Sequence, residues 1–424
     1  MLDIKTIRDR EEDVRRALDL RGAGVDLDAL LAMDRARRER LTDVEQLKNQ
    51  RNVVSKEIGQ LKKSGADTSE RQAAVREIGE RIASLDQSVR DVEARLEAAL
   101  LLVPNLPLPS VPAGHSAADN RVVRQQGTPR AFDFEPTPHW ELGETLGLFD
   151  FERGARMTGA GFPLFTGNGA RLARGLIQFM LDLHTREHGY REIAPPFVCN
   201  AAAMTGTGQL PKMAEDMYHV GVDDLYLVPT AEVPVTNFYR EEILKDPLPI
   251  ALTAYTPCFR REAGAAGRET RGLIRVHQFD KVELVRFVEP ETSEAELQKL
   301  MGHAEAVLQR LGLTYRVLEL CAGDLGFASS HTYDLELWAP AQKAWLEVSS
   351  CSNFGDFQAR RANIRYRNRE GKAVFVHTLN GSGVALPRLI VAILENNQQA
   401  DGSVALPEAL HPYLGGLTRL EKQP

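Results

Sequence analysis

Apolar residues recur every three or four positions through much of the first hundred residues, more regularly than anywhere else in the chain. Val44, Leu47, Val54, Ile58 and Leu61 share one seam, with Arg51 as the polar intruder. Past Ser64-Gly65-Ala66-Asp67 the repeat resumes through Val75, Ile78, Ile82, Leu85, Val89, Val92, Leu96 and Ala99. Alternating steps of three and four are the a/d repeat of a coiled coil, and the glycine-containing break predicts an antiparallel hairpin of two helices over about 28–100. Asp67-Thr68-Ser69 supplies the helix start of the second strand of the hairpin. Helices of about 30 residues, rising ~1.5 Å per residue, make an arm about 45 Å long, which must project rather than form a core.

A proline-rich segment follows, Pro104-Asn105-Leu106-Pro107-Leu108-Pro109 and then Val111-Pro112. It ends the second helix and cannot rejoin it, so the predicted division is a domain at 1–103, a linker at 104–118 and a second domain at 119–424. In that second domain, amphipathic patterns predict helices over 169–188, 229–244, 291–311 and 384–398. Short β-type runs fall at 225–228, 250–254, 276–287, 314–320, 331–338 and 345–350. Strands outnumber the helices between them and often adjoin one another. That predicts an α+β fold, an antiparallel sheet flanked by helices, rather than a doubly wound parallel sheet.

Composition narrows the setting. With 43% hydrophobic and 26% charged residues over 424, the chain has the make-up of an ordinary globular protein. No apolar run reaches the ~20 residues of a membrane span, and Met1-Leu2-Asp3-Ile4-Lys5 lacks the build of a secretory signal, which predicts a cytoplasmic protein. A net charge of −7 means that a polyanionic partner needs a local basic surface. Lys48, Arg51, Lys56, Lys62 and Lys63 gather toward the arm's tip, opposed there mainly by Glu57. They suit either a solvated coiled-coil surface or contact with an RNA backbone. Cys199, Cys258, Cys321 and Cys351 form no C-x-x-C pair, which argues against a structural zinc site or disulfides.

Several familiar chemistries are missing. There is no G-x-x-x-x-G-K-[ST] loop, no H-E-x-x-H and no G-x-S-x-G; in Gly381-Ser382-Gly383 the third glycine of a dinucleotide fingerprint is replaced by Leu386. What remains is a dense run of charge over 258–283, including Arg260, Arg261, Glu262, Arg268, Glu269, Arg271, Arg275, Lys281 and Glu283. Arginines beside an ordered strand suit a polyphosphate, because each guanidinium can bond two oxygens. Glu262 and Glu283 could select an amine or hydroxyl, and Phe279 could stack on a purine; a hairpin with a charged surface loop fits the composition equally well.

The run Phe259-Arg260-Arg261-Glu262-Ala263-Gly264, with Thr270-Arg271-Gly272-Leu273-Ile274-Arg275-Val276-His277-Gln278-Phe279, resembles motif 2 of the class II aminoacyl-tRNA synthetases in its seryl form (about 257–283). Asn380-Gly381-Ser382-Gly383-Val384-Ala385-Leu386-Pro387-Arg388 resembles motif 3 (about 379–398). Gly189-Tyr190-Arg191-Glu192-Ile193 to Pro195-Pro196 resembles motif 1 (about 169–196), which builds the dimer interface in that class. Thr230-Ala231-Glu232 matches the T-x-E element, and the hairpin is similar to the family's tRNA-binding arm.

The resemblance implies ATP-dependent activation of serine, transfer to tRNA(Ser), with tRNA(Sec) charged where it exists, a homodimer, and Mg²⁺ without zinc. It implies Arg260, Arg271 and Arg388 as the catalytic arginines. Arg260 would hold the ATP α-phosphate and the serine carboxylate, and Arg271 and Arg388 would meet the outer phosphates. Arg261, Glu262, the Val276 backbone, Val348 and Ser349 would line the nucleotide, with Phe279 and Arg388 on opposite faces of adenine. Glu347 and Ser350 would sit by Mg²⁺ and ATP. Thr230, Ala231, Glu232, Arg260, Glu283, Asn380 and Ser382 would hold serine.

Other positions carry weaker expectations. His277 reads as structural, and His331 with Cys351 lacks further ligands for a metal. Met204-Thr205-Gly206-Thr207-Gly208 is expected to be a mobile loop beside the site. Arg360, Arg361, Arg365, Arg367 and Arg369 fit either a tRNA-facing patch or the exposed side of a helix and strand. Two rivals remain: a ligase that loads an amino acid onto a carrier protein, which has no need of the arm, and a non-catalytic RNA-binding adaptor, which would have lost the phosphate-binding arginines.

Overall fold

The computed structural model describes residues 1–263 and 271–422. They form two compact units. One comprises Leu2–Asp19 with Ala23–Pro104; the other comprises Met1, Leu20–Gly22 and the chain from Asn105 onward.

The first unit is dominated by helices α1 (Leu27–Lys63) and α2 (Ser69–Leu100). Asp26 caps α1 by accepting from the Ala29 amide at 2.9 Å. Along the seam Val44, Leu47, Ile78, Ile82, Val89, Val92 and Leu96 are buried, as the heptads require. Toward the tip Val54, Ile58 and Leu61 are only half-buried. Ion pairs link the helices across the seam, Arg37 to Glu93 at 2.9 Å and Lys48 to Asp86 at 3.7 Å, with Glu57 paired to Arg71 near the turn. Lys56, Lys62 and Lys63 are exposed.

The second unit is built on an eight-stranded sheet. Its strands, in chain order, are β1 (Arg121–Gln126), β2 (Arg191–Glu192), β3 (Ile250–Phe259), β4 (Gln278–Val288), β5 (Tyr315–Glu319), β6 (His331–Ala339), β7 (Ala344–Asn353) and β8 (His377–Ala385). In space they run β1-β5-β6-β7-β8-β4-β3-β2, antiparallel throughout except that β2 joins β3 in parallel. Three helices, α3 (Gly167–Arg186), α4 (Ser293–Arg310) and α5 (Leu386–Asn397), share one apolar core with the sheet, in which Leu176, Met180, Leu284, Leu300, Leu335, Leu379 and Ile390 are almost wholly enclosed. Alternation along each strand then turns the other set of side chains, polar ones at Lys281, Glu283, Asn380 and Ser382, to the opposite face.

The Gly-Ser-Gly run of β8 is explained by that core. A Cβ at Gly381 would stand 2.4 Å from a Leu300 methyl and 2.8 Å from the Cys351 sulfur, and one at Gly383 2.7 Å from the His184 ring. Only glycine lets β8 lie this close while Ser382 faces the other way. Among the described residues no helix is long and apolar enough to cross a membrane.

Candidate active site

β3 and β4 pair along their whole length, from Ile250 opposite Phe287 to Phe259 opposite Gln278, and the charged run sits at their open end. Arg260 follows β3 directly, its amide donating to the His277 carbonyl at 2.9 Å. The His277 ring is spent on structure, with Nδ1 3.0 Å from the Arg260 carbonyl. The Arg260 side chain is anchored by its Nε on the Pro229 carbonyl at 3.3 Å, and its guanidinium lies 5.1 Å from the centre of the Phe279 ring. Glu262 holds a left-handed backbone at φ 52° and pairs with Arg275 across the hairpin. Arg388 enters from the first turn of α5: Nε donates to the Ile274 carbonyl at 3.1 Å and Nη1 to the Glu347 carbonyl at 2.8 Å. These groups, with Val276 and Val348, line one cavity, which has a flat aromatic ring at Phe279 and a flat cation at Arg388 among its walls.

A second cavity adjoins it. Thr230, Glu232, Glu283, Ser350 and Asn380 line this one, and Arg260, Lys281, Glu347 and Ser382 line both. Thr230 Oγ1 donates to Glu283 at 3.2 Å and receives the Glu232 amide at 3.3 Å, so the T-x-E turn is tied to β4. Glu283 is buried and ion-paired with Lys281, two positions along the same strand. Glu232 is also buried but has a neutral partner, the Gln358 amide, at 2.5 Å. Burial first, and the Glu283 charge second, push its carboxyl up to about 7.

Not every expected residue faces these cavities. Ser349 turns away, donating to the Ser382 carbonyl at 2.6 Å, and Ala231 is packed in a separate apolar cluster with Val235 and Phe287. Arg261 is exposed and reaches the Glu215 carbonyl at 3.1 Å, outside both cavities. Arg271 lies with its guanidinium 4.5 Å over the Trp140 ring. Gly264, Arg268, Glu269 and Thr270 lie outside the described residues. The expected mobile loop at 204–208 is instead the end of a helix, Ala201–Thr207, capped by Gly208 in the left-handed conformation, with Met204 and Thr207 buried. Of the basic run, Arg361 is structural, held by the Thr205 and Leu210 carbonyls at 3.2 Å. His331 lies between Glu294 and Glu319, at 2.7 and 2.9 Å. Burial works against its charge, but the two carboxylates outweigh that and raise its pKa.

Sequence reasoning gave no role to four residues that the fold brings to the site. Lys281 had a signal, since it alternates with Phe279 and Glu283 on one strand face. Arg275 stood in the quoted motif without a partner. Asp334 and Gln358 arrive from distant segments: Asp334 sits opposite Ser350 in the β6–β7 ladder, its buried Oδ1 without a hydrogen-bond partner among the described residues.

Residues 1–107 match the seryl-tRNA synthetase N-terminal domain, and residues 218–397 match the tRNA synthetase class II core domain (G, H, P, S and T). A serine–tRNA ligase from Pelotomaculum thermopropionicum is 58% identical over 421 residues, covering 99% of this chain and 100% of its own. This chain belongs to the seryl-tRNA synthetase family. The serine–tRNA ligase of Geobacter sulfurreducens is 56% identical over 422 residues, with 99% and 100% covered. Among solved structures, a seryl-tRNA synthetase from Pyrococcus horikoshii complexed with ATP superposes with a TM-score of 0.96 at 37% identity, covering both chains fully. A cytoplasmic serine–tRNA ligase from Naegleria fowleri in complex with AMP gives 0.90 at 28%, covering 100% of this chain and 99% of that one.

Proposed function

We propose that the joined cavities are where this serine–tRNA ligase activates serine with ATP before esterifying it to the 3′-terminal adenosine of tRNA(Ser), and of tRNA(Sec) where that exists. The observation that carries the reading is the sharing of Arg260, Lys281, Glu347 and Ser382 between the two cavities. A nucleotide in one and an amino acid in the other would meet at Arg260, where the reacting atoms belong.

The nucleotide site takes adenine between Phe279 and Arg388, beside the Val276 backbone, with Glu262 and Val348 at its rim. In the first step a serine carboxylate oxygen attacks the α-phosphorus, and the bond to pyrophosphate breaks. Charge grows on the α-phosphate and the leaving group, and Arg260 and Arg388 offer fixed donors to it, while Arg271, stacked on Trp140 in the ligand-free protein, would have to turn to meet the outer phosphates. The attacking carboxylate is already ionised, so no general base is required. Glu347 and Ser350 fit Mg²⁺, a hard cation held by few carboxylates plus substrate phosphates, with Asp334 opposite Ser350 in the ladder and its Oδ1 without a partner among the described residues. The ion supplies charge neutralisation on the phosphates.

Charge divides the serine pocket. Glu283 is compensated by Lys281 and suits the neutral hydroxyl, whereas Glu232 faces a neutral amide and suits the ammonium. Thr230, Asn380 and Ser382 complete the wall. Alanine is refused because it leaves polar groups unpaired, and threonine because of its extra methyl. No zinc is needed for this recognition.

In the second step a ribose hydroxyl of the tRNA terminus attacks the carbonyl carbon of the seryl adenylate; the ester forms, the acyl–phosphate bond breaks, and AMP and the hydroxyl proton are released. The N-terminal domain of residues 1–103 holds the tRNA through its arm over about 28–100, 104–118 link it to the catalytic domain 119–424, and motif 1 over 169–196 forms a homodimer, in the cytoplasm. The test is ATP–pyrophosphate exchange with each amino acid in turn, then charging of total tRNA. Serine-dependent exchange followed by transfer supports the reading. Exchange without transfer would favour the carrier-protein ligase, and no exchange the adaptor.

A further inference from the structure

Glu232 reaches the pocket from the helix Glu232–Asn237, but its carboxylate is held from another part of the chain. Gln358, on the helix Phe357–Ala362, is completely buried. Its Nε2 donates to Glu232 Oε1 at 2.5 Å and to the Thr207 carbonyl at 3.2 Å, while its Oε1 accepts from the Thr378 hydroxyl at 2.8 Å. Both groups facing Nε2 are acceptors when Glu232 is ionised, so the amide has one orientation only. Its two N–H groups and its oxygen are all engaged, leaving no freedom to turn over. Glu232 Oε1 is therefore committed to Gln358, and Oε2 is the oxygen left for a ligand.

We propose that Gln358, locked by Thr378 and the Thr207 carbonyl, is the positioning residue for serine recognition: it orients Glu232 and favours its ionised form, so that Oε2 receives the substrate ammonium. This rests on the serine-binding role given to Glu232 above. The charged groups facing that carboxylate are Glu283 and Lys281 from β4 and Arg260 from the end of β3. Glu283 opposes ionisation, whereas Gln358, Lys281 and Arg260 favour it. An amide adds a donor without adding a competing cation, so the site keeps its net attraction for an ammonium.

The test is ATP–pyrophosphate exchange by the full-length protein and its variants from about pH 5.5 to 8.5, with the KM for serine and for ATP separated. Gln358→Met keeps the volume and loses the donor. It should raise the serine KM roughly 10- to 100-fold, the usual effect of removing a hydrogen bond to a charged group, with the ATP KM within about twofold. It should also move the pH below which serine affinity fades upward. Gln358→Glu should raise the serine KM across the whole pH range with the ATP KM nearly unchanged, since a second carboxyl 2.5 Å away either repels the Glu232 charge or shares a proton with it. Thr378→Val, which leaves Gln358 in place, should raise the serine KM by a smaller factor in the same direction. Equal rises in both KM values, or an unmoved pH profile in a folded variant, would overturn the proposal. If Gln358→Met does not fold, Gln358→Glu and Thr378→Val decide it by the same criteria. Absence of serine-dependent exchange in the unaltered protein would sink the functional reading and this one together. A raised serine KM in Glu232→Gln with none in Gln358→Met would sink this one alone.

Discussion

Lys281 and Glu283, two positions apart on one strand, form an ion pair whose side chains are only 8% and 1% exposed. An isolated buried carboxylate is costly, and the neighbouring ammonium offsets that cost for Glu283 in the wall of the second cavity. Removing one partner strands the other. Lys281→Met should destabilise the fold by about 3–5 kcal/mol, because it leaves the buried Glu283 without its charge partner, and on the serine role proposed for Glu283 it should raise the serine KM. Denaturant unfolding and the serine KM check the two halves. A variant of unchanged stability would show that the pair is not a buried charge balance.

The arm was the most legible part of the sequence, because each helix buries its seam against the other and the heptads record nothing else. Strand ends were less so. The pattern over 250–254 predicts a short strand, yet β3 continues to Phe259 through Pro257. β2 pairs with β3 only at Leu252 and Thr253, so the missing N–H of Pro257 falls beyond the shared ladder. The strand His377–Ala385 escaped notice because its glycines read as a loop, whereas the packing of Cys351, Leu300 and His184 requires them. The helix expected over 229–244 is confined to Glu232–Asn237, and a left-handed Glu241 follows it. The motif residues were visible because they sit close together in sequence. Gln358 and Asp334 were not, since only the tertiary fold brings them to the site.

Glu232 makes stability and binding respond to pH in opposite senses. Its carboxyl is pushed up to about 7, first by burial and then by Glu283. A carboxyl raised in the folded state contributes stability below the ordinary carboxylate range, and that contribution is lost as the pH rises through about 7. The ligand-free protein should thus lose thermal stability between about pH 5 and 8, and Glu232→Gln should flatten that slope. On the ammonium-binding role proposed for Glu232, serine binding uses the ionised form, so the serine KM should climb as the pH falls below about 7. Calorimetric scans and exchange kinetics over the same pH range test both; parallel slopes for the parent and Glu232→Gln would refute the assignment.

Arg388 is fixed by two carbonyls, those of Ile274 and Glu347, which hold its plane at the wall of the cavity proposed to take the nucleotide. Lysine keeps the charge but loses the planar fork and the stacking face. Arg388→Lys should lower kcat/KM for ATP by roughly 10- to 100-fold, with the serine KM nearly unchanged. A loss confined to serine would place Arg388 outside the nucleotide site.

Asp334 is set against Ser350 and carries a buried oxygen without a partner among the described residues. Burial, then the Glu347 charge, raises its carboxyl well above the usual range. Such a group stabilises nothing at neutral pH, which points to retention for function. Asp334→Asn should raise the melting temperature by a few degrees, on the order of 1 kcal/mol, while increasing the Mg²⁺ concentration needed for half-maximal exchange several-fold. Lower stability with an unchanged Mg²⁺ requirement would make Asp334 a structural residue instead.

The two helices of the arm bury their seam against each other, and none of the cavity-lining residues of the candidate active site lies between 30 and 98. Deleting 30–98 should therefore leave ATP–pyrophosphate exchange within about threefold of the intact protein. Charging of tRNA should fall by at least about 100-fold, because the phosphate contacts proposed for the arm, and their counterion release, would disappear with it. Exchange is measured with serine and ATP alone, so it reports the activation step without tRNA, whereas charging needs both units. The residual charging should also lose much of its dependence on salt. Equal loss of exchange and charging in a folded deletion variant would overturn this separation, and charging that survives with its salt dependence intact would place the tRNA contacts outside the arm.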